Sequence, residues 1–168
     1  MELKIFNGSV VYADCDAIVN AANESLQNGG GVCGAIFSAA GASLLQRECD
    51  AIGYCKTGHA VMTNGYNLKA KHIIHVVGPK DKNPIDLKHA FYNALVIADS
   101  NNLNSIGMVP ISAGIYGFPI DQCASIAINV IMSFKAKSLK EVHMYCYSLK
   151  EYNAFVSAFN NYLEDQKK

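Results

Sequence analysis

The sequence has no tryptophan, only four prolines and no surplus of charge: fourteen Lys and Arg balance fourteen Asp and Glu over 168 residues. Zero net charge excludes a broad electrostatic grip on nucleic acid, which needs an excess of cations on one face. A narrow local site stays open. No apolar run approaches the roughly 20 residues of a membrane-spanning helix. The opening run Met1 to Phe6 alternates in polarity, unlike the basic-then-apolar pattern of a secretory leader. The six cysteines include no C-x-x-C pair and are widely spread, which argues against a disulfide scaffold. They read as reduced thiols in a cytoplasmic protein. What is abundant is apolar surface: 51% hydrophobic against 17% charged residues describes a folded chain. The length suits one domain, residues 1–168.

Strand-like and helix-like segments alternate. Leu3–Phe6, Ala17–Asn20, His59–Thr63, His72–Val77, Ser105–Ile111 and Glu141–Tyr147 read as strands. Gly34–Ala51, broken near Gly41, reads as helical, as do Ile85–Asn101, Asp121–Ala136 and Lys150–Glu164. Alternation of this kind predicts an α/β sheet covered on both faces, with ligands beyond the carboxyl ends of the strands.

Three post-strand loops stand out. The first runs Asn20-Ala21-Ala22-Asn23 and on through Gly29, Gly30, Gly31, Val32, Cys33 and Gly34. Consecutive glycines before a helix present bare N–H groups to an anion such as a phosphate. The second runs Ser112-Ala113-Gly114-Ile115-Tyr116-Gly117-Phe118-Pro119, where small residues let backbone wrap a ligand and Tyr116 and Phe118 offer flat apolar surfaces. No charged residue or histidine falls between Ser100 and Ile120, so a phosphate here would be held by N–H groups and hydroxyls. The third, Cys146-Tyr147-Ser148, offers an aromatic ring for a purine to stack on. Neither glycine loop contains G-x-x-x-x-G-K-[S/T], and glycines at 29, 30, 31 and 34 do not fit G-x-G-x-x-G. Nucleoside-triphosphate hydrolysis of the P-loop kind is thereby excluded, and recognition of a diphosphate fits better. No metal set is visible: His72 and His75, three apart in a strand, point to opposite faces.

The combination of Asp16-Ala17-Ile18-Val19-Asn20-Ala21-Ala22-Asn23 with Gly29–Gly34 resembles the signature of macro domains. Cys55–Gly58, Gly65–Lys71, His75–Pro79 and Pro110–Pro119 agree with that family in order, so the resemblance spans nearly the whole chain. It implies a three-layer α/β/α fold with a mixed six-stranded sheet and a cleft for ADP-ribose. It implies one of three roles: reading ADP-ribosylated proteins, removing ADP-ribose from acidic side chains, or deacetylating O-acetyl-ADP-ribose. Carried over by position, Gly8, Ser9 and Val10 would sit at the adenine and Tyr147 would stack on it. Gly30, Gly31 and Val32 with Ser112, Ala113, Gly114, Ile115 and Tyr116 would wrap the diphosphate. Asn20 and Asn23 would border the distal ribose, Asn23 bonding its hydroxyls. The expected partners are ADP-ribose or ADP-ribosylated proteins, with no cofactor, no metal, no membrane contact and a monomeric state.

Three positions depart from the common family pattern, each by loss of an acid: Ser9, Cys33 and Ser148; Phe37 also replaces a frequent histidine or polar residue. Cys33 bears most on function, because a thiol is a poor general base near neutral pH. Hydrolysis by water would then lean on the substrate's own phosphate, with Asn23 holding the ribose and Cys33 beside it. A non-catalytic reader of ADP-ribose is the alternative, and a poly(A) or RNA binder using Tyr147 and Tyr116 a third reading that zero net charge disfavours.

Overall fold

A computed structural model describes residues Met1–Lys168. Its elements are β1 (Glu2–Asn7), a 3-10 turn (Val10–Tyr12), β2 (Ala17–Ala22), α1 (Gly31–Ala40), α2 (Ala42–Ile52), β3 (Ala60–Asn64), β4 (His72–Val77), α3 (Pro84–Ser100), β5 (Ser105–Met108), α4 (Ile120–Ser133), β6 (Glu141–Cys146) and α5 (Leu149–Gln166). All six strands form one sheet in the order β1-β6-β5-β2-β4-β3. Every pairing is parallel except that of β3 with β4, so the sheet is mixed. Helices α1 and α2 pack together, α1 on β2 and α2 on β3, while α3, α4 and α5 form a second layer against β4, β5, β6 and β1. This is the expected α/β/α arrangement. No helix is long and apolar enough to cross a membrane.

The burial of each strand follows its neighbours. Strand β4 lies inside the sheet with helices on both faces, and all its residues after His72 are buried. A strand covered on both sides has no solvent face to vary, hence the continuous run Ile73-Ile74-His75-Val76-Val77. Strand β6 alternates half-buried and buried residues, because helices cover only one of its faces fully. The break between α1 and α2 falls at Gly41, whose φ of 109° an L side chain rarely adopts.

The borders that differ have local causes. Strand β5 ends at Met108, short of the expected Ile111, because Pro110 has no N–H to donate to a ladder. Helix α1 starts at Gly31, three residues before the expected Gly34, so the glycines belong to its first turn. Helix α4 ends at Ser133, before Ala136. The Ser133 hydroxyl donates to Asn129 O at 2.6 Å, and Phe134 turns extended (ψ 128°) to stack edge-on against Tyr92. Phe118, expected to offer a flat face to a ligand, is only 2% exposed and belongs to the core.

Candidate functional site

The carboxyl ends of the strands open into a cleft of about 460 Å³. Gly8, Ser9 and Val10 reach it from the end of β1, and Ala21, Ala22 and Asn23 from the end of β2. Val109, Pro110 and Ile111 arrive from β5, Tyr145 and Tyr147 from β6, and Gly78 from the end of β4. The two glycine-bearing loops face each other across it. An added Cβ on Gly30 would stand 3.6 Å from Ile115 Cδ1, and one on Gly31 3.8 Å from the same atom. The side chain of Ile115, 79% exposed, therefore spans the gap between the loops. Gly31 has φ +60°, a turn that aims the first N–H groups of α1 without the penalty a Cβ would bring. Gly34 is needed for another reason: a Cβ there would lie 2.6 Å from the Gly29 carbonyl oxygen.

Ser112 is the most unusual residue of the wall. Its φ is +66°, it is 6% exposed, and its hydroxyl oxygen has no hydrogen-bond partner. Its carbonyl accepts the Phe118 N–H at 2.9 Å, which closes the loop into a compact turn. Gly78 backs the hydroxyl so closely that a side chain at 78 would collide with it. A buried donor without a partner is costly, and here it lines a ligand-sized cleft.

Asn23 serves its own loop as well as the cleft. Its Oδ1 accepts from Gln27 N (2.9 Å) and Ser25 Oγ (3.1 Å), and its Nδ2 donates to Gln27 O (2.9 Å). One amide proton remains for a ligand. Helix α2 holds the loop from outside: Asn28 N donates to Gln46 Oε1 at 2.8 Å, and Gln46 Nε2 donates to Leu26 O at 3.0 Å. These contacts support Leu26 in a left-handed conformation (φ 57°).

Behind this wall lies a buried polar chain. Asn20, 1% exposed, sits opposite His75 in the β2–β4 register. Thr63 Oγ1 donates to Asn64 O (3.2 Å), which leaves it to accept from His75 Nε2–H (2.9 Å). His75 Nδ1 then accepts from Asn20 Nδ2 (3.0 Å), whose other proton points at Cys33 Sγ (3.7 Å). Burial drives the His75 pKa down to about 4, so the ring is neutral at physiological pH. Asn20, expected to border a ribose, does not line the cleft and stands behind Cys33. Asn20 lies two residues inside the carboxyl end of β2, with its amide engaged by His75, whereas Asn23 follows the last residue of the strand at the opening. Cys33 is itself buried but lines the cleft, with Sγ 3.7 Å from Gln27 O.

Of the other expected site residues, Ser9, Val10, Gly30, Gly31, Val32, Gly114, Ile115, Tyr116 and Tyr147 all line the cleft. Ala113 does not, its methyl being packed against the core. Ser9 caps the 3-10 turn, its Oγ accepting from Val11 N at 3.3 Å. Tyr147 is 83% exposed and presents an open ring. Lys80 lies over the Tyr116 ring at 5.6 Å. Sequence reasoning missed Tyr145, Gly78 and, above all, Glu151, the only charged side chain lining the cleft. The Ser148-x-x-Glu151 spacing of a capping box was the available signal. No group of three metal-ligating side chains occurs, and all six cysteines are free and buried.

A family model described as "Macro domain" matches residues 19–127. The human protein "ADP-ribose glycohydrolase MACROD2" is 40% identical over 98% of this chain, which spans 42% of that protein. The Oceanobacillus iheyensis macrodomain with ADP superposes with a TM-score of 0.92 at 34% identity, covering 97% of this chain and 92% of that one. The Trypanosoma brucei macrodomain in complex with ADP-ribose gives 0.89 at 36% identity, covering 93% and 68%.

Proposed function

The chain belongs to the macro domain family, and from that premise we propose that its cleft binds ADP-ribose and hydrolyses ester-linked mono-ADP-ribose, on protein Glu or Asp side chains or as O-acetyl-ADP-ribose. The observation that carries this reading is the juxtaposition of the two bare-backbone loops. Gly30 and Gly31 stand opposite the Ser112–Tyr116 loop across a gap that Ile115 bridges, with an unpartnered Ser112 hydroxyl in the wall. That is a neutral cradle for a diphosphate, which needs donors and no cation. Tyr147 takes the base, and the spare amide proton of Asn23 takes a distal ribose hydroxyl. The solved relatives bound to ADP and to ADP-ribose support the same ligand class.

For turnover of the Glu/Asp-linked ester, water adds to the anomeric carbon of the distal ribose while that carbon's bond to the ester oxygen breaks, and the carboxylate departs. In O-acetyl-ADP-ribose water adds to the acetyl carbon instead, the acyl C–O bond breaks, the ribose oxygen leaves as a hydroxyl and acetate departs. The water's proton passes to a phosphate oxygen of the substrate and then to solvent. No carboxylate stands on the Asn23 side of the cleft, and Cys33 lines the cleft there. Asn23→Ala is expected to reduce release of ADP-ribose from a Glu/Asp-modified protein more than it weakens ADP-ribose binding: the ligand hydrogen bond alone is worth about 10-fold, and loss of the Gln27 contacts loosens the loop further. Binding by the wild type without release, in calorimetry followed by a de-modification assay, would refute the hydrolase. A reader module is the second reading, favoured by Cys33 standing where an acid would activate water. It predicts near-zero turnover in the wild type, raised by Cys33→Asp with little change in affinity; strong wild-type activity left unchanged by Cys33→Asp would rule it out.

A further inference from the structure

The chemistry above leaves Glu151 unassigned, although it is the only charged side chain lining the cleft. The sheet order decides what it would meet. Loops leave the carboxyl ends in the lateral sequence β1, β6, β5, β2, neighbouring strands being about 4.8 Å apart. Tyr147 and Glu151 follow β6, Ser112 and Ile115 follow β5, and Asn23 and Gly30 follow β2. A nucleotide with its base on Tyr147 and its diphosphate between the β5 and β2 loops must lay its adenosine ribose between the ends of β6 and β5. Glu151 lines the cleft from the first turn of α5, directly after β6 and Tyr147.

Its two oxygens are unequally used. Oε1 accepts the N–H of Tyr147 at 3.0 Å and of Ser148 at 3.4 Å, while Oε2 accepts nothing. The residue lines the cleft, and Cys123 lies under the neighbouring β5 loop with Sγ 3.4 Å from Ile111 O. No Lys or Arg lines the cleft to balance the carboxylate.

We infer that the free oxygen of Glu151 accepts the 2′-hydroxyl of the adenosine ribose, so that the cleft selects nucleotides with that hydroxyl unmodified and rejects those carrying a phosphate or a further sugar there. The inference rests on the ADP-ribose reading above. A hydroxyl donating to a carboxylate makes one of the stronger hydrogen bonds. A 2′-phosphate in the same place meets like charge, the device by which dinucleotide-binding folds use an acid to take the unphosphorylated ribose. Ser112, whose buried hydroxyl awaits a partner one strand away, fixes the diphosphate end and hence the register of the sugar.

The test is calorimetry of the wild type and Glu151→Gln with ADP-ribose, its 2′-phosphate and its 2′-deoxy analogue. Glutamine keeps the cap, since its carbonyl oxygen still accepts the Tyr147 N–H. The wild type is expected to bind the 2′-deoxy analogue about 10-fold more weakly than ADP-ribose, and the 2′-phosphate about 30-fold or more weakly. Glu151→Gln should bring the 2′-phosphate to within about 5-fold of ADP-ribose. An unchanged preference in Glu151→Gln, or a change confined to thermal stability, overturns the assignment while leaving ADP-ribose binding intact. Failure of the wild type to bind any of the three overturns both readings.

Discussion

Replacing Ser112 by alanine should make the empty protein more stable and the bound protein less so. The side chain is 6% exposed and its hydroxyl has no partner, a situation that costs about 1–3 kcal/mol relative to a satisfied group. Alanine removes the orphan at almost no loss of apolar contact. Both residues carry a Cβ, so the strain at φ +66° is common to them and cancels in the comparison. For a chain of this size each kcal/mol is worth about 2–4 °C in Tm, so Ser112→Ala should melt about 2–12 °C above wild type without ligand. A hydrogen bond to a phosphate oxygen is worth about 1.5–3 kcal/mol, so ADP-ribose should bind about 10- to 150-fold more weakly to the variant. Thermal melts with and without saturating ADP-ribose show both effects at once, as a higher baseline and a smaller ligand-induced rise. A variant that melts below wild type when empty, or that binds ADP-ribose equally well, would refute the reasoning.

Two further predictions concern pH and scaffold. Because His75 is held neutral with a pKa of about 4 against an ordinary 6.5, the unfolded chain takes up a proton that the folded one refuses. Stability should fall as pH drops from 6.5 toward 4, by on the order of 3 kcal/mol, and hold steady above 6.5. Denaturant melts of His75→Gln should lose that slope, and parallel slopes in wild type and variant would contradict it. Asp99 accepts the N–H groups of Lys137 (3.0 Å), Ser138 (2.7 Å) and Leu139 (2.9 Å), and these backbone bonds hold its carboxyl below the usual carboxylate range. Asp99→Ala should cost about 1–3 kcal/mol near neutral pH, measured by denaturant melts, because it strands three donors. The difference from wild type should vanish as pH falls through the lowered pKa, because protonated Asp99 no longer serves those donors.

What could be read from the sequence was whatever depends on neighbours along the chain. The β-branched run His72–Val77 became β4 without a shift in either border, and Gly41 broke the helix where its lack of a Cβ permits positive φ. The cleft was legible because its walls are continuous stretches, Ser112–Tyr116 and Gly29–Cys33, whose small residues mark close backbone approach. What depended on register was not legible. Asn20 faces His75 only because the two pair across β2 and β4, and Thr63 reaches the same ring from the opposite strand. Glu151 enters the cleft from a helix that begins after the last strand, carried there by the capping box that ties it to Tyr147 and Ser148. Phe118, four residues from an exposed glycine, turns inward because the Ser112 turn closes beneath it.

The single aliphatic side chain that leans from one loop onto the opposing glycines gives the opening an unusual economy. Ile115 meets nothing bulkier than bare main chain on the far side, and most of its surface is in water. Admitting a guest asks only for rotation about its own bonds, a motion of picoseconds to nanoseconds for an exposed side chain, with no helix displaced. Between the two glycine loops, Ile115 is thus the side chain that an entering guest has to turn aside.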